Sequence, residues 1–230
     1  VETGTLAVLK DLNLNQSEFR CRAFNRIEIQ GNILIKHPVD AQGRNLAVRE
    51  VKWYEEVKKY NFDQIPVIYD YTPLTMELIH GENIFRTHLT VEQKQRVIDN
   101  LVSSLTQLHS FVSVPTDVFS IWDTYYTKTF SRLDRIRDMV PFASEKNIRI
   151  NGKLCRNPYF LKETVRKYIQ CLCVDGCKDF VLIHGDCTFS NTMVDKELNV
   201  IFLDPRGYFG HTELYGDIAY DWAKLYYSIY

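Results

Sequence analysis

No apolar run in this chain approaches the roughly 18 residues of a membrane-spanning helix, so no membrane partner is expected. There is no basic excess either. A formal charge of −1 and a pI near 6.7 argue against a general nucleic-acid binder, which normally carries a positive surplus. Glycine is scarce at the front, where Gly4 and Gly31 are the only two in the first 42 residues. Neither stands where a glycine-bearing phosphate loop would precede the apolar run at 33–36. The six cysteines (Cys21, Cys155, Cys171, Cys173, Cys177 and Cys187) are not needed as staples in 230 residues, and free thiols in the cytoplasm are the expectation. Cys171, Cys173 and Cys177 cluster, but neither a second pair nor a nearby histidine completes a tetrahedral zinc set. Internal repeats and low-complexity segments are absent. The chain opens on Val1 without a basic, apolar, small-residue leader, so no secretory signal is expected. It ends at Tyr230 still in helical pattern, which points to a fragment with room for a fused or partner domain.

What is present is enough apolar material, 45% of residues, for one substantial core or two small lobes. Arg26 to Gln30 and Ile33 to Lys36 read as strands joined by the hairpin signal Gly31-Asn32. Leu46 to Lys59 has helical character, and Val67 to Tyr69 and Leu74 to Leu78 read as further strands punctuated by Pro66 and Pro73. From residue 90 the pattern lengthens into helices. Thr90 and Gln93 form a capping box, and Val97, Ile98, Leu101, Val102, Leu105 and Leu108 form an apolar stripe. Residues 117–138 and 158–173 also read as helical, with 139–157 as a loop. The fold class expected is α+β: a small β-rich lobe over 1–80, a connector at 74–80, and a mostly helical lobe over 82–230.

The chemistry concentrates in Ile183-His184-Gly185-Asp186-Cys187-Thr188-Phe189-Ser190-Asn191 and in Phe202-Leu203-Asp204. Apolar runs at 181–183 and 200–203 read as buried strands, so the polar residues sit on a loop between strands and at a strand end. Such a set suits phosphoryl transfer, which needs a positioned acceptor, a bridging metal and charge neutralisation rather than covalent help. Asp186 can orient a hydroxyl and take its proton. Asn191, five residues on, and Asp204, thirteen further, offer the oxygen ligands a hard cation prefers.

This pattern resembles the aminoglycoside phosphotransferase and choline kinase family, relatives of the protein kinases, whose His-Gly-Asp, four residues, then Asn precede a strand ending in Asp. The resemblance implies a protein kinase-like two-lobed fold and a small-molecule kinase using ATP or GTP with Mg²⁺. It makes Asp186 the base and Asn191 and Asp204 the Mg²⁺ ligands. It also makes Lys36, in a strand, a contact for the nucleotide's α/β-phosphates paired with the helix residue Glu50. Met76 to Gly81 is similar to the family's hinge, where the carbonyl of Glu77 and the N–H of Ile79 would read the adenine. His184 is expected to support the loop, Cys187 to be a small loop residue, Asp217 to cap a helix, and Asp221 to brace the loop from beneath. Residues 10–25 must then cover the nucleotide without glycine.

The acceptor is expected to be a sugar, an amino alcohol or a related hydroxyl compound. The block Asp204 to Gly210 and the segment 215–227 are similar to phosphotransferase-like proteins found with bacterial surface-polysaccharide genes. Trp122, Tyr125, Tyr126 and Phe130 could line its pocket or be core residues. Arg206 could meet phosphate or an anionic acceptor, or pair with Asp217 or Glu213. The alternative to an enzyme is a non-catalytic nucleotide-binding module that regulates a fused or partner protein.

Overall fold

The computed structural model describes the backbone of Phe19–Cys21 and residues 24–229 in full. The cover expected over 10–25 lies mostly outside the described residues. The first strands, β1 (Phe19–Cys21), β2 (Asn25–Gln30), β3 (Ile33–Pro38), β4 (Ile68–Tyr71) and β5 (Leu74–Glu77), form one antiparallel sheet in the order β1-β2-β3-β5-β4. Gln30 pairs with Ile33 across the expected Gly31-Asn32 turn. Between β3 and β4 runs helix α1 (Ala41–Lys58), which begins before the expected Leu46 because the Asp40 side chain accepts from the Gly43 N–H at 2.6 Å. Its buried face is Glu50, Trp53, Tyr54 and Val57, at helical spacing.

A short strand β6 (Glu82–Asn83) leads to helix α2 (Val91–Ser110), which carries the predicted capping box at Thr90 and Gln93. Val97, Leu101, Leu105 and Leu108 of its stripe are buried, whereas Val102 faces solvent at 41% exposure. After β7 (Ser113–Pro115), the helix expected at 117–138 comes in three parts. These are α3 (Val118–Ile121), a π-helical stretch Trp122–Thr127, and α4 (Lys128–Ile136) closed by a 3₁₀ turn.

The region 139–157 is not simply a loop. It contains an antiparallel hairpin, β8 (Asn147–Ile150) and β9 (Lys153–Arg156), around Asn151-Gly152, both in the left-handed region with φ of +48° and +80°. Asn-Gly at positive φ matches a type I′ turn, which closes this hairpin despite the surrounding charges. Helix α5 (Lys162–Cys171) then leads to β10 (Asp179–Leu182), β11 (Thr192–Val194) and β12 (Val200–Phe202). The short β13 (Tyr208–Phe209), β14 (Thr212–Glu213) and β15 (Tyr215–Gly216) precede helix α6 (Ile218–Tyr227), capped by Asp217 through the Ala219 N–H. Two three-stranded sheets, β15-β10-β7 and β12-β11-β6, hold the ends of the functional loop. Among the described residues no helix is long and apolar enough to cross a membrane.

The larger core joins α1 and α2 to the strands around the loop, and the smaller one gathers Ile121, Ile169, Phe180, Ile183 and Phe209. A buried hydrogen bond reaches from α1 to the end of β10, where Trp53 Nε1 donates to the Ile183 carbonyl at 2.8 Å. Trp53→Phe removes this donor and part of the ring, leaving the carbonyl unpaired. The expected loss is about 2–4 kcal/mol, combining cavity and hydrogen-bond terms, measured as a lower urea midpoint at unchanged slope.

Candidate active site

The site is built where β10 ends and the chain turns sharply. Gly185 has φ +78°, and a Cβ there would stand 2.8 Å from the Cβ of Arg206. Glycine is therefore required both for the backbone conformation and for the close approach. The turn is fixed from beneath by Asp221, which is fully buried. Its carboxylate accepts from the N–H groups of His184 at 2.8 Å and Gly185 at 2.7 Å, and from His109 Nε2 of α2 at 3.0 Å. Burial works against its charge, but these donors win and hold its pKa below the usual value.

His184 links two strands. Its Nδ1 accepts from the Asp186 N–H at 3.2 Å, so Nε2 carries the proton and donates to the Leu203 carbonyl at 3.1 Å. Burial lowers its pKa, which keeps the ring neutral and in that tautomer. Cys187 is buried, and its thiol donates to the Asp221 carbonyl. Burial raises its pKa, so it is a protonated loop residue and not a nucleophile.

Asp186 is held at both oxygens. Lys224 Nζ lies 2.9 Å from Oδ1, and Asn191 Nδ2 donates to Oδ2 at 3.1 Å and to the Asp186 carbonyl at 3.0 Å. Those donations turn the amide so that its Oδ1 points away from Asp186. Asn191 is tied to the next strand by the Leu203 N–H, which donates to its carbonyl at 2.8 Å. One residue on, Asp204 has φ +55°, a costly conformation for a residue with a Cβ. Arg206, whose N–H donates to the His184 carbonyl at 2.8 Å, anchors the chain just beyond.

The structure brings Lys36 of β3 to Glu50 of α1 at 2.5 Å, and the same ammonium also pairs with Asp204. Burial opposes its charge, but the two carboxylates outweigh that cost and raise its pKa. Glu77 and Ile79 line a cavity of about 820 Å³ together with Leu34, Met76, Met193 and Asp204. A second cavity, of about 910 Å³, contains Asp186, Asn191 and Asp204 and extends toward α4 and α6. The two cavities meet at Asp204. The amide oxygen of Asn191 and the carboxylate of Asp204 make an all-oxygen donor pair, which fits a hard cation such as Mg²⁺.

Several further residues became legible only in three dimensions. Lys224, which grips Asp186, lies one helical turn after Asp221, and that spacing was its only sequence signal. Arg206 pairs with neither Asp217 nor Glu213. It donates to the hydroxyls of Tyr220 and Tyr208, each at 2.7 Å, while Tyr125 donates to Asp217 and Lys52 pairs with Glu213. Of the aromatics after residue 121, Phe130 is buried, Trp122 and Tyr126 pack on the smaller core, and Tyr125 lines the larger cavity.

The fructosamine kinase family model matches residues 76–227, more than half of the chain. Solved structures share the fold. The ADP-bound aminoglycoside phosphotransferase APH(2'')-Ib is 18% identical with a TM-score of 0.54, over 94% of this chain and 72% of that one. A choline/ethanolamine kinase family protein from Mesorhizobium loti is 15% identical with a TM-score of 0.53, over 97% and 68%. The choline kinase LicA from Streptococcus pneumoniae is 16% identical with a TM-score of 0.52, over 96% and 74%. No curated protein matches the chain by sequence. With its protein kinase-like fold and a family match running from the end of β5 into α6, the chain belongs to the fructosamine kinase family and is a small-molecule kinase acting on a hydroxyl acceptor.

Proposed function

We propose that this kinase transfers the γ-phosphoryl group of ATP or GTP to a hydroxyl of a sugar, amino alcohol or related small acceptor, with Asp186 as the base. The observation that carries the reading is the meeting of two cavities at Asp204, one edged by the 76–81 hinge and the other containing Asp186. The nucleotide would occupy the first, its adenine read by the Glu77 carbonyl and the Ile79 N–H, and the acceptor the second. The division into a nucleotide lobe over 1–80 and a catalytic lobe over 82–230 belongs to the same reading.

Asn191 Oδ1 and Asp204 would hold Mg²⁺, which would supply charge neutralisation for the transferring phosphoryl group. The chain's own groups do the rest. Lys36, held by Glu50, supplies a fixed positive charge for the α/β-phosphates. Lys224 and Asn191 fix the Asp186 carboxylate so that it can accept a hydrogen bond from the acceptor hydroxyl and take its proton as the oxygen bonds to phosphorus.

The test is transfer of label from γ-labelled ATP and GTP to a panel of sugars, amino alcohols and ketosamines, with and without Mg²⁺. A labelled product that requires both the nucleotide and the metal supports the assignment. Nucleotide-dependent thermal stabilisation with no labelled product across the panel favours a regulatory module instead.

A further inference from the structure

The cavity beside Asp186 is lined by four basic side chains: Lys128 and Arg132 of α4, Arg206, and Lys224 of α6. Its carboxylates are already committed, Glu50 and Asp204 to Lys36 and Asp186 to Lys224. Among the described residues, Lys128, Arg132 and Arg206 have no ion pair. Arg206 is half-buried and held in the wall by two neutral phenols, with the Tyr208 ring 4.4 Å from its Cζ. A guanidinium positioned by phenols keeps its charge for a ligand. None of the four lines the hinge-side cavity, where the basic groups are His80 and Lys196, so their position serves the acceptor rather than the adenine.

We infer that the acceptor carries an acidic group, a phosphate or a carboxylate, in addition to its reacting hydroxyl, and that Lys128 and Arg206 bind that group. The inference rests on the kinase reading above. The hydroxyl oxygen bonds to the γ-phosphorus as the bond to the β–γ bridging oxygen breaks. The hydroxyl proton passes to Asp186, and the nucleoside diphosphate leaves. An amine or quaternary ammonium would meet like charge from Lys128, Arg132 and Arg206, while the three lining carboxylates are each engaged by a lysine.

A second observation supports this. Lys128 has its pKa lowered to about 8 by burial and by Arg206, Arg132 and Lys224, with only Asp123 acting in the opposite direction. A bound acid would relieve that repulsion.

The test uses matched pairs, ribose 5-phosphate with ribose and gluconate with glucitol, plus glucosamine. Binding to the wild-type chain is measured by calorimetry with Mg²⁺ and a non-hydrolysable ATP analogue, and transfer is followed with labelled ATP. The acidic member of at least one pair should bind about tenfold or more tightly than its neutral partner. The pair that discriminates tells phosphate from carboxylate. Lys128→Gln and, separately, Arg206→Lys should each shrink that ratio about tenfold, with melting curves confirming that both variants fold. The ratio should also fall as pH rises from 7 to 9 and Lys128 loses its proton. Equal or tighter binding of the neutral or amine members overturns the proposal, as does a ratio unchanged in Lys128→Gln. Transfer to neutral or amine acceptors without acid preference overturns the proposal and leaves the kinase reading standing. Lys128-dependent acid binding without transfer to any acceptor does the reverse.

Discussion

Asp186→Asn is expected to lower kcat by roughly 10²–10⁴-fold, the usual contribution of a positioned general base, while leaving nucleotide affinity unchanged. The substitution keeps the shape of the side chain. An amide oxygen can still accept from Asn191 Nδ2, so the loop is not pulled out of place. What is lost is a group that can take the hydroxyl proton. The ion pair with Lys224 also goes, but both side chains are partly exposed, at 29% and 39%, so its loss costs less than about 1 kcal/mol. Stability and activity therefore separate, and steady-state kinetics with a melting curve on the same sample checks both. Wild-type turnover in this variant would remove Asp186 from the role of base.

Asp221→Ala should have the largest effect on stability. It strips the acceptor from two backbone N–H groups and from His109, all buried. Breaking a buried charged network by removing one partner costs about 3–5 kcal/mol, against a typical total of about 5–15 kcal/mol. The change should be visible as a large drop in the urea midpoint. Activity should fall even under conditions where the variant stays folded, because the turn that sets Asp186 loses its brace.

The same network sets the direction of acid sensitivity. The lowered Asp221 pKa contributes stability that is complete above its unfolded value and lost as pH falls through the folded one. The lowered His184 pKa acts in the same direction. Below about 6.5 the unfolded chain takes up the imidazole proton that the folded chain refuses, so stability declines as pH drops from there. Unfolding midpoints should hold nearly level from pH 7.5 to about 6.5 and fall from there to pH 5, and they should fall by less in His184→Gln if that variant keeps its contact with Leu203.

What could be read in the sequence was local. His184, Gly185, Asp186 and Asn191 stand within one loop, so their spacing carries their geometry, and the strands on either side are short apolar runs. Lys36 and Glu50 could be named because one strand and one helix hold them in a fixed order. The basic wall of the cavity beside Asp186 could not. It is assembled from α4, the segment after β12, and α6, and each cation taken alone reads as an ordinary surface charge. Only the i,i+4 spacing of Lys128 and Arg132 hinted that two of them share a face. The partners of Arg206 were also out of reach, since a tyrosine fourteen residues on competes with nearer carboxylates that prove to be engaged elsewhere.

The brace under the loop also dictates an order of assembly. His184 and Gly185 lie 37 and 36 residues before the carboxylate that holds them, and His109 lies 112 residues before it. During synthesis at ~5–20 residues per second, the loop therefore emerges seconds before the helix that shapes it. Until α6 arrives, a nascent chain has its strands and its acid but no fixed turn to present that acid. A fixed turn under Asp186 therefore waits on α6, and it arrives in one step, when Asp221 is buried against α2.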